Sequence, residues 1–320
     1  MQFKPIIVVA GEPNSIFLEI FFKSLKKKLF RSPIILIASR KIVLSQMKKL
    51  KFNFKINIVN ENKLNLKKHN NREINLIDIN YNSNKIFEKI SSKTNEYIKK
   101  SFSKALILLK KKISNKLING PISKKYFLNK KYLGITEYLA AKTNQKNFAM
   151  LIFNKKLSVC PITTHLPVKF ISQKINKVVI KKKIILINNF YKNYIGIKPS
   201  IAVTGLNPHC ESIEKINKDI SIIKPSVKFL KNKGLRISGP HAADTIFLKN
   251  NRKKYDVIVG MYHDQVLTPI KTLFEYDAIN ITLGLPFIRI SPDHGPNEKM
   301  MGKNLSNPLS LIRALEFLDN

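Results

Sequence analysis

The chain has 320 residues, room for one large or two ordinary domains at about 150 residues each, and 58 Lys and Arg against 20 Asp and Glu give it a formal charge of +38. A hydrophobic fraction of 44% excludes wholesale disorder, and apolar runs such as Ile6–Ala10 and Pro33–Ala38 fall far short of the roughly 18 residues that cross a bilayer. Cys160 and Cys210 stand apart with no C-x-x-C pair, which excludes a disulfide scaffold and a structural zinc ribbon.

Ile6–Ala10 reads as a buried strand, and Gly11-Glu12-Pro13-Asn14 as a turn. From Ser15 to Phe30 the apolar residues recur with helical spacing, with Ser15 as the expected cap. Pro33–Ser39 is a second buried strand and Lys41–Leu50 a second helix. Residues 60–84 are rich in Asn and Lys and are expected to be a loop-rich edge, followed by a helix over Ile86–Leu109. Lys116–Ile118 runs into a turn at Asn119-Gly120-Pro121. Further strands are expected at Ala149–Phe153, Leu157–Ile162, Ile201–Thr204, Val257–Met261 and Ala278–Leu283. Further helices are expected near Ile175–Asn189, Pro225–Lys233 and Pro308–Leu318. Such alternation favours an α/β sandwich with a largely parallel sheet, and with no repeat or long linker the two lobes are expected to pack closely.

The charge does not read as a nucleic-acid signature. Only seven of the basic residues are Arg, the side chain whose fork recognises phosphates and base edges. The Lys runs, such as Lys26–Lys28 and Lys110–Lys112, are scattered, and the chain is also rich in Ile and Asn, which share A/T-rich codons with Lys. Compositional drift on solvated helix faces is the preferred reading, with only non-specific attraction for polyanions. The first ten residues carry one Lys and no apolar stretch of signal-peptide length. A cytoplasmic location without membrane association is therefore expected.

Three of the six histidines follow apolar strand-like runs: His165 in Thr163-Thr164-His165-Leu166-Pro167, His209 in Gly205-Leu206-Asn207-Pro208-His209, and His263 in Met261-Tyr262-His263-Asp264-Gln265. Ligands of parallel α/β sheets bind at the carboxyl ends of strands. Three imidazoles there can hold a divalent ion with positions left open for substrate; three separate loop histidines are the other reading. Asp264 can orient His263 or serve as a cap or surface charge. Lys271, Asn280 and Arg289 recur at nine-residue intervals and combine two cations with an amide, a sensible phosphate receptor. For Arg289 a structural salt bridge stays open.

Read together, the motifs resemble one family. Gly11-Glu12-Pro13, Asn119-Gly120-Pro121-Ile122-Ser123-Lys124, Gly134-Ile135-Thr136-Glu137-Tyr138-Leu139 and Gly239-Pro240-His241-Ala242-Ala243-Asp244-Thr245 join the three histidine motifs. So do Asn280-Ile281-Thr282-Leu283-Gly284-Leu285-Pro286-Phe287-Ile288-Arg289 and Asp293-His294-Gly295. The set is collinear and resembles the 4-hydroxythreonine-4-phosphate dehydrogenases.

The resemblance implies a two-domain α/β/α fold like that of isocitrate and isopropylmalate dehydrogenases, with a terminal domain of residues 1–128 plus 280–320 and a central domain of residues 129–279. The terminal domain would carry the cofactor loop, and the central one the dimer interface and the metal ligands. It implies a homodimer with a shared active site and NAD-dependent oxidation of 4-phosphooxy-threonine in pyridoxal 5′-phosphate synthesis. His165, His209 and His263 match the metal ligands, drawn from both subunits, and Asp244 and Asp264 the two active-site aspartates. Thr136, Lys271, Asn280 and Arg289 match the substrate contacts, and His294, Gly295 and Gly302 the cofactor loop. Histidine nitrogens suit Zn²⁺, Co²⁺ or Ni²⁺, while Mg²⁺ prefers oxygen; of the family's metals, Zn, Co and Mg stay open, as does NAD against NADP.

Four departures from the family pattern bear on activity. Ile135 stands where the family has a substrate-binding His, and Asn14-Ser15-Ile16-Phe17-Leu18 replaces a glycine-rich turn. Cys210-Glu211-Ser212-Ile213 follows His209 in place of smaller residues, and Pro296-Asn297-Glu298-Lys299-Met300-Met301 with Asn304 alters the last loop. A relative acting on a four-carbon sugar-acid phosphate, a catalytically weakened remnant, and a silent basic binding protein are the competing readings.

Overall fold

Ile6-Ile7-Val8-Val9 forms the first strand, β1, and all four residues are buried. A strand covered on both faces needs an unbroken apolar run instead of an alternating one. The computed structural model describes residues 3–60, 71–83, 85–128, 131–211, 217–292 and 294–319. Ser212, Ile213 and Asp293 of the motifs above lie outside the described residues. The chain divides into two units, Met1–Leu139 with Pro286–Asn320, and Ala140–Leu285.

From β1 the chain leads through α1 (Phe17–Lys27), β2 (Ile34–Ala38), α2 (Arg40–Lys49), β3 (Ile56–Ile58) and β4 (Ile74–Asp78). It continues through α3 (Asn95–Lys110), β5 (Lys116–Asn119) and α4 (Ile135–Lys142). Then come β6 (Ala149–Phe153), β7 (Ser158–Pro161), α5 (Ile171–Lys174), α6 (Lys177–Phe190), β8 (Ile201–Thr204) and α7 (Lys224–Asn232). They are followed by β9 (Ile237–His241), α8 (Ala243–Ile246), α9 (Lys249–Arg252), β10 (Val257–Gly260), α10 (His263–Phe274) and β11 (Ile279–Leu283). The chain closes with β12 (Ile288–Pro292) and α11 (Leu309–Leu318).

In the first unit the strands lie in the order β3-β4-β2-β1-β5-β12, each paired parallel to its neighbours. Phe17, Phe21 and Phe22 of α1 are almost wholly buried, each ring stabilising the fold by about 1.5–3 kcal/mol. In the second unit the order is β11-β6-β7-β10-β8-β9. There β6 runs antiparallel to both neighbours, and β7, β10, β8 and β9 are parallel. Its core joins Ile152, Val159, Ala202 and Ile258 of the sheet to Val266 and Ile270 of α10. The α/β class with a largely parallel sheet is as expected.

Several elements differ from expectation, each for a local reason. The stretch expected to be a loop-rich edge contains β4, because Ile74 and Leu76 bury fully among polar neighbours. The helix expected from Ile86 begins at Asn95. The Ser91 hydroxyl accepts from Lys93 N–H to start a 3₁₀ turn over Ser92–Thr94, and Glu88 N–H is spent on Asn14 Oδ1 at 2.9 Å. Ser15 receives the Phe17 N–H at 3.3 Å, but Ile16 is the residue at the boundary of α1. The readings missed β9, which contains Gly239 and Pro240, and α10, whose interior holds Pro269. Both carry residues that ordinarily interrupt an element.

The first unit depends on close backbone approach at one point. A Cβ on Gly120 would lie 2.1 Å from the Ala10 carbonyl oxygen and 2.7 Å from the Phe17 ring. Gly120→Ala is expected to destabilise by about 1–3 kcal/mol in urea unfolding. Gly295→Ala, where an added Cβ meets nothing within 4 Å, should stay within about 0.5 kcal/mol of the parent. Equal midpoints for the two variants would contradict this packing.

Candidate functional site

The second unit gathers its polar groups where β7, β8 and β10 end. Parallel pairing from Ser158↔Val257 to Pro161↔Gly260 leaves β7 and β10 level at their carboxyl ends. Thr163 ties the two ends, giving its N–H and its hydroxyl to the Met261 carbonyl at 3.2 and 2.8 Å. His165 turns back in the left-handed region at φ 47°, and His263 opens α10. The two rings come to 5.7 Å between centroids. His263 Nδ1 donates to Asp264 Oδ1 at 2.6 Å, which leaves Nε2 as the nitrogen that can accept or ligate.

His209 follows β8 in a short turn at φ 54°. The turn is braced by Asp219, a fully buried carboxylate that the sequence reading passed over. Its oxygens accept from the N–H groups of Leu206 and Asn207 at 2.6 and 3.2 Å and from Asn207 Nδ2 at 2.9 Å. Gln265 was likewise missed as a determinant. Its Oε1 accepts from Met261 N–H and the Thr204 hydroxyl at 2.7 and 2.8 Å, and its Nε2 donates to the Gly205 carbonyl at 2.8 Å. Among the described residues of one chain, no three His, Cys, Asp or Glu side chains come close enough to hold a metal ion.

The remaining predicted residues of this unit are spread along its elements. Asp244 is exposed in the short α8. Lys271 lies on α10, where burial pulls its ammonium below the ordinary lysine range. Asn280 lies on β11, and its buried Oδ1 accepts no hydrogen bond among the described residues. A buried acceptor left unpaired costs about 1–3 kcal/mol, so this oxygen is suited to a donor brought by a ligand.

In the first unit Arg289 sits on β12 with no exposed surface. Its Nε donates to Asn119 Oδ1 at 2.7 Å and its Nη1 to the Thr136 hydroxyl at 3.3 Å. Burial lowers the guanidinium to about 10, with the Glu137 carboxylate pulling the other way. Asn119 was legible only as part of a turn; the register Arg289↔Leu117 brings it to Arg289.

These groups open on a cavity of about 580 Å³ whose lining includes Asn119, Ser123, Lys124, Lys125, Ile135, Arg289, His294, Gly295 and Glu298. His294 Nδ1 lies 3.0 Å from the Gly295 carbonyl, and its ring leans on Phe17 at 6.4 Å. Gly302 is not part of this lining; it takes φ +74° beside Phe87. The turn Asn14-Ser15-Ile16-Phe17-Leu18 forms without a positive φ, and all five residues are buried. It does so because the left-handed step is taken earlier, at Gly11 with φ +75°.

Glu12 stands behind this wall, almost wholly buried. Its Oε1 accepts from Asn14 N–H at 3.2 Å and its Oε2 from the Thr94 hydroxyl at 2.9 Å. Burial outweighs both bonds and pushes the carboxyl up to about 7.

Parallel α/β units with polar side chains collected at the carboxyl ends of their strands define a ligand-binding α/β protein of the enzyme type. The chain belongs to the family described as pyridoxal phosphate biosynthetic protein PdxA, which matches residues 30–318. It is 38% identical over 316 residues to the 4-hydroxythreonine-4-phosphate dehydrogenase of Sulfurihydrogenibium sp. (strain YO3AOP1), covering 97% of this chain and 96% of that one. It is 37% identical over 186 residues to the D-threonate 4-phosphate dehydrogenase of Pectobacterium atrosepticum, covering 58% of this chain and 59% of that one. The crystal structure of 4-hydroxythreonine-4-phosphate dehydrogenase from Klebsiella pneumoniae superimposes with a TM-score of 0.85 at 28% identity, covering 98% of each chain. Isocitrate dehydrogenase from Methylococcus capsulatus, with a TM-score of 0.50 at 9% identity over 97% of this chain and 83% of that one, shares the fold alone.

The Glu12 environment carries a pH signature. Its carboxyl rises from 4.5 to about 7 on folding, so the native state binds the proton more tightly. The associated stability is complete below pH 4.5 and is lost as pH rises to about 7, a change on the order of 3 kcal/mol. Glu12→Gln should remove that decline, read as urea stability at pH 5 against pH 8. An identical decline in the variant would show that Glu12 titrates normally.

Proposed function

We propose that this chain is an NAD-dependent, metal-assisted dehydrogenase of 4-phosphooxy-L-threonine in pyridoxal 5′-phosphate biosynthesis. The product, 2-amino-3-oxo-4-phosphooxybutanoate, loses carbon dioxide to give 3-amino-2-oxopropyl phosphate. The reading is carried by near full-length identity to a 4-hydroxythreonine-4-phosphate dehydrogenase. The buried Arg289–Asn119–Thr136 network beside an open cavity is what a phosphorylated substrate needs. A soluble homodimer in the cytoplasm, without specific nucleic-acid or membrane partners, completes the proposal; among the described residues no helix is long and apolar enough to cross a membrane.

The residues divide the work by their chemistry. Arg289, Lys271, Asn280 and Thr136 bind the substrate, and their remote binding energy fixes the reacting carbon. Asn119 holds the Arg289 fork in plane through its Nε. Asp264 fixes the His263 ring by taking its Nδ1 proton in a hydrogen bond, and Asp244 serves as a second active-site carboxylate. The donor chemistry suits a divalent metal such as zinc or cobalt better than magnesium. His165 and His263, already neighbours, would hold it with His209, the set being completed across two subunits. Such a metal would lower the pKa of a bound alcohol; His294 and Gly295, which line the cavity, would hold NAD together with Gly302 on the loop beyond that lining, and NAD would supply the hydride acceptor.

A second reading is favoured by Ile135, an apolar side chain in the cavity lining. A relative named for D-threonate 4-phosphate acts on a substrate without the amine. NADH release from 4-phosphooxy-L-threonine, compared with D-threonate 4-phosphate and repeated with a chelator, decides between them. The expected result is turnover of the amino substrate that chelation abolishes and added metal restores. Turnover of the hydroxy acid alone would move the assignment to the second reading, and turnover of neither would overturn both.

Arg289→Lys keeps a cation but loses the planar fork. It should raise KM for the phosphorylated substrate about tenfold or more while kcat changes little. A change confined to the KM for NAD would show that Arg289 serves the cofactor instead.

A further inference from the structure

A second cavity, of about 200 Å³, lies within the second unit and is lined by His241, Thr245, Asn251, Lys254 and Tyr255. Two of these, His241 and Tyr255, close a hydrogen-bonded triangle with Ser238, which lies outside the lining. The Ser238 hydroxyl lies 2.8 Å from His241 Nε2 and donates to the Tyr255 hydroxyl at 3.0 Å, and that hydroxyl is 3.3 Å from the same Nε2. With the Ser238 proton assigned to Tyr255, the short contact is made by Nε2–H donating to Ser238 Oγ. That assignment leaves two groups for the cavity: the Tyr255 O–H as a donor, and Nδ1 of His241 as a bare acceptor. Nδ1 makes no hydrogen bond among the described residues. Lys254 is exposed and has no side-chain hydrogen bond or ion pair among them.

The arrangement does not suit a nucleophile. A serine activated by histidine needs a third group to orient the imidazole, and His241 Nδ1 has none. It suits a ligand that is anionic, accepts hydrogen bonds and also carries one O–H of its own. The cavity is smaller than the roughly 300–1,000 Å³ of sites that enclose whole drug-sized ligands, so a single small group fits. Burial holds the imidazole below its ordinary range, which favours the neutral ring with one acceptor nitrogen.

We propose that this cavity binds a hydrogen phosphate group, with Lys254 and the Tyr255 hydroxyl donating to its oxygens and His241 Nδ1 accepting its O–H. The pairing selects phosphate over sulfate, because sulfate has no proton to give and leaves Nδ1 facing an anion lone pair to lone pair. Nothing in this inference rests on the dehydrogenase reading. None of Lys271, Asn280 and Arg289 is in its lining, and its test uses the chain without cofactor or substrate.

The test is a titration of the full chain with inorganic phosphate, with sulfate and with glycerol phosphate at matched ionic strength. The readout is the His241 imidazole resonance, assigned by its loss in His241→Gln. The expected result is a saturable shift with phosphate, and at least about tenfold weaker binding of sulfate. Lys254→Ala should weaken phosphate about tenfold, and Tyr255→Phe, which keeps the ring in the core, should weaken it less. Glycerol phosphate binding as well as phosphate would assign the site to phosphate esters, and binding only of inorganic phosphate to the free ion. No saturable shift with either, equal binding of sulfate, or undiminished binding in Lys254→Ala would overturn the proposal.

Discussion

The candidate chemistry of the second unit depends on three parallel strands ending at the same level. Pairing of β10 with β7 on one side and β8 on the other sets their carboxyl ends side by side. Backbone pairing alone would leave those ends to fray. Gln265 and Thr163 prevent this by spending side-chain donors and acceptors on Met261, Thr204 and Gly205. Buried side-chain bonds of this kind contribute only about 0.5–1.5 kcal/mol each. Their larger effect is geometric, since they decide where His165 and His263 emerge.

The first unit solves a different problem, the burial of a guanidinium. A fully desolvated cation is costly unless its donors are paired. Arg289 meets that cost with Asn119, Thr136 and the nearby Glu137. Such an arrangement is weak as a source of stability, because an apolar side chain of similar volume would do as well. Its place beside a cavity that also carries Lys124 and Lys125 is what the proposed phosphorylated substrate would use.

The surplus of lysine over arginine fits this division. Arginine is held where planar, bidentate geometry matters, as at the buried Arg289. Most of the described lysines are exposed, on helices and in loops, where their charge is screened within about 10 Å at ordinary salt. Lys271 and Lys254 are departures from that pattern, the first by burial and the second by lining a cavity.

What was legible in the sequence was whatever a local pattern encodes. Unbroken apolar runs marked β1 and β2, helical spacing marked α1, and turn residues marked the ends of β5 and β8. The collinear motifs were enough for the family, since the family match spans residues 30–318. Local pattern failed where tertiary burial overrode composition. The polar surroundings hid β4, and Gly239, Pro240 and Pro269 hid β9 and α10. Tertiary structure alone decided that Asp219 braces the His209 turn, that Asn119 reaches Arg289, and that Ser238, His241 and Tyr255 share one hydrogen-bonded triangle. These partners are joined by sheet register and side-chain direction across gaps in the chain, and a pattern read along one strand of sequence carries no record of which residue stands opposite.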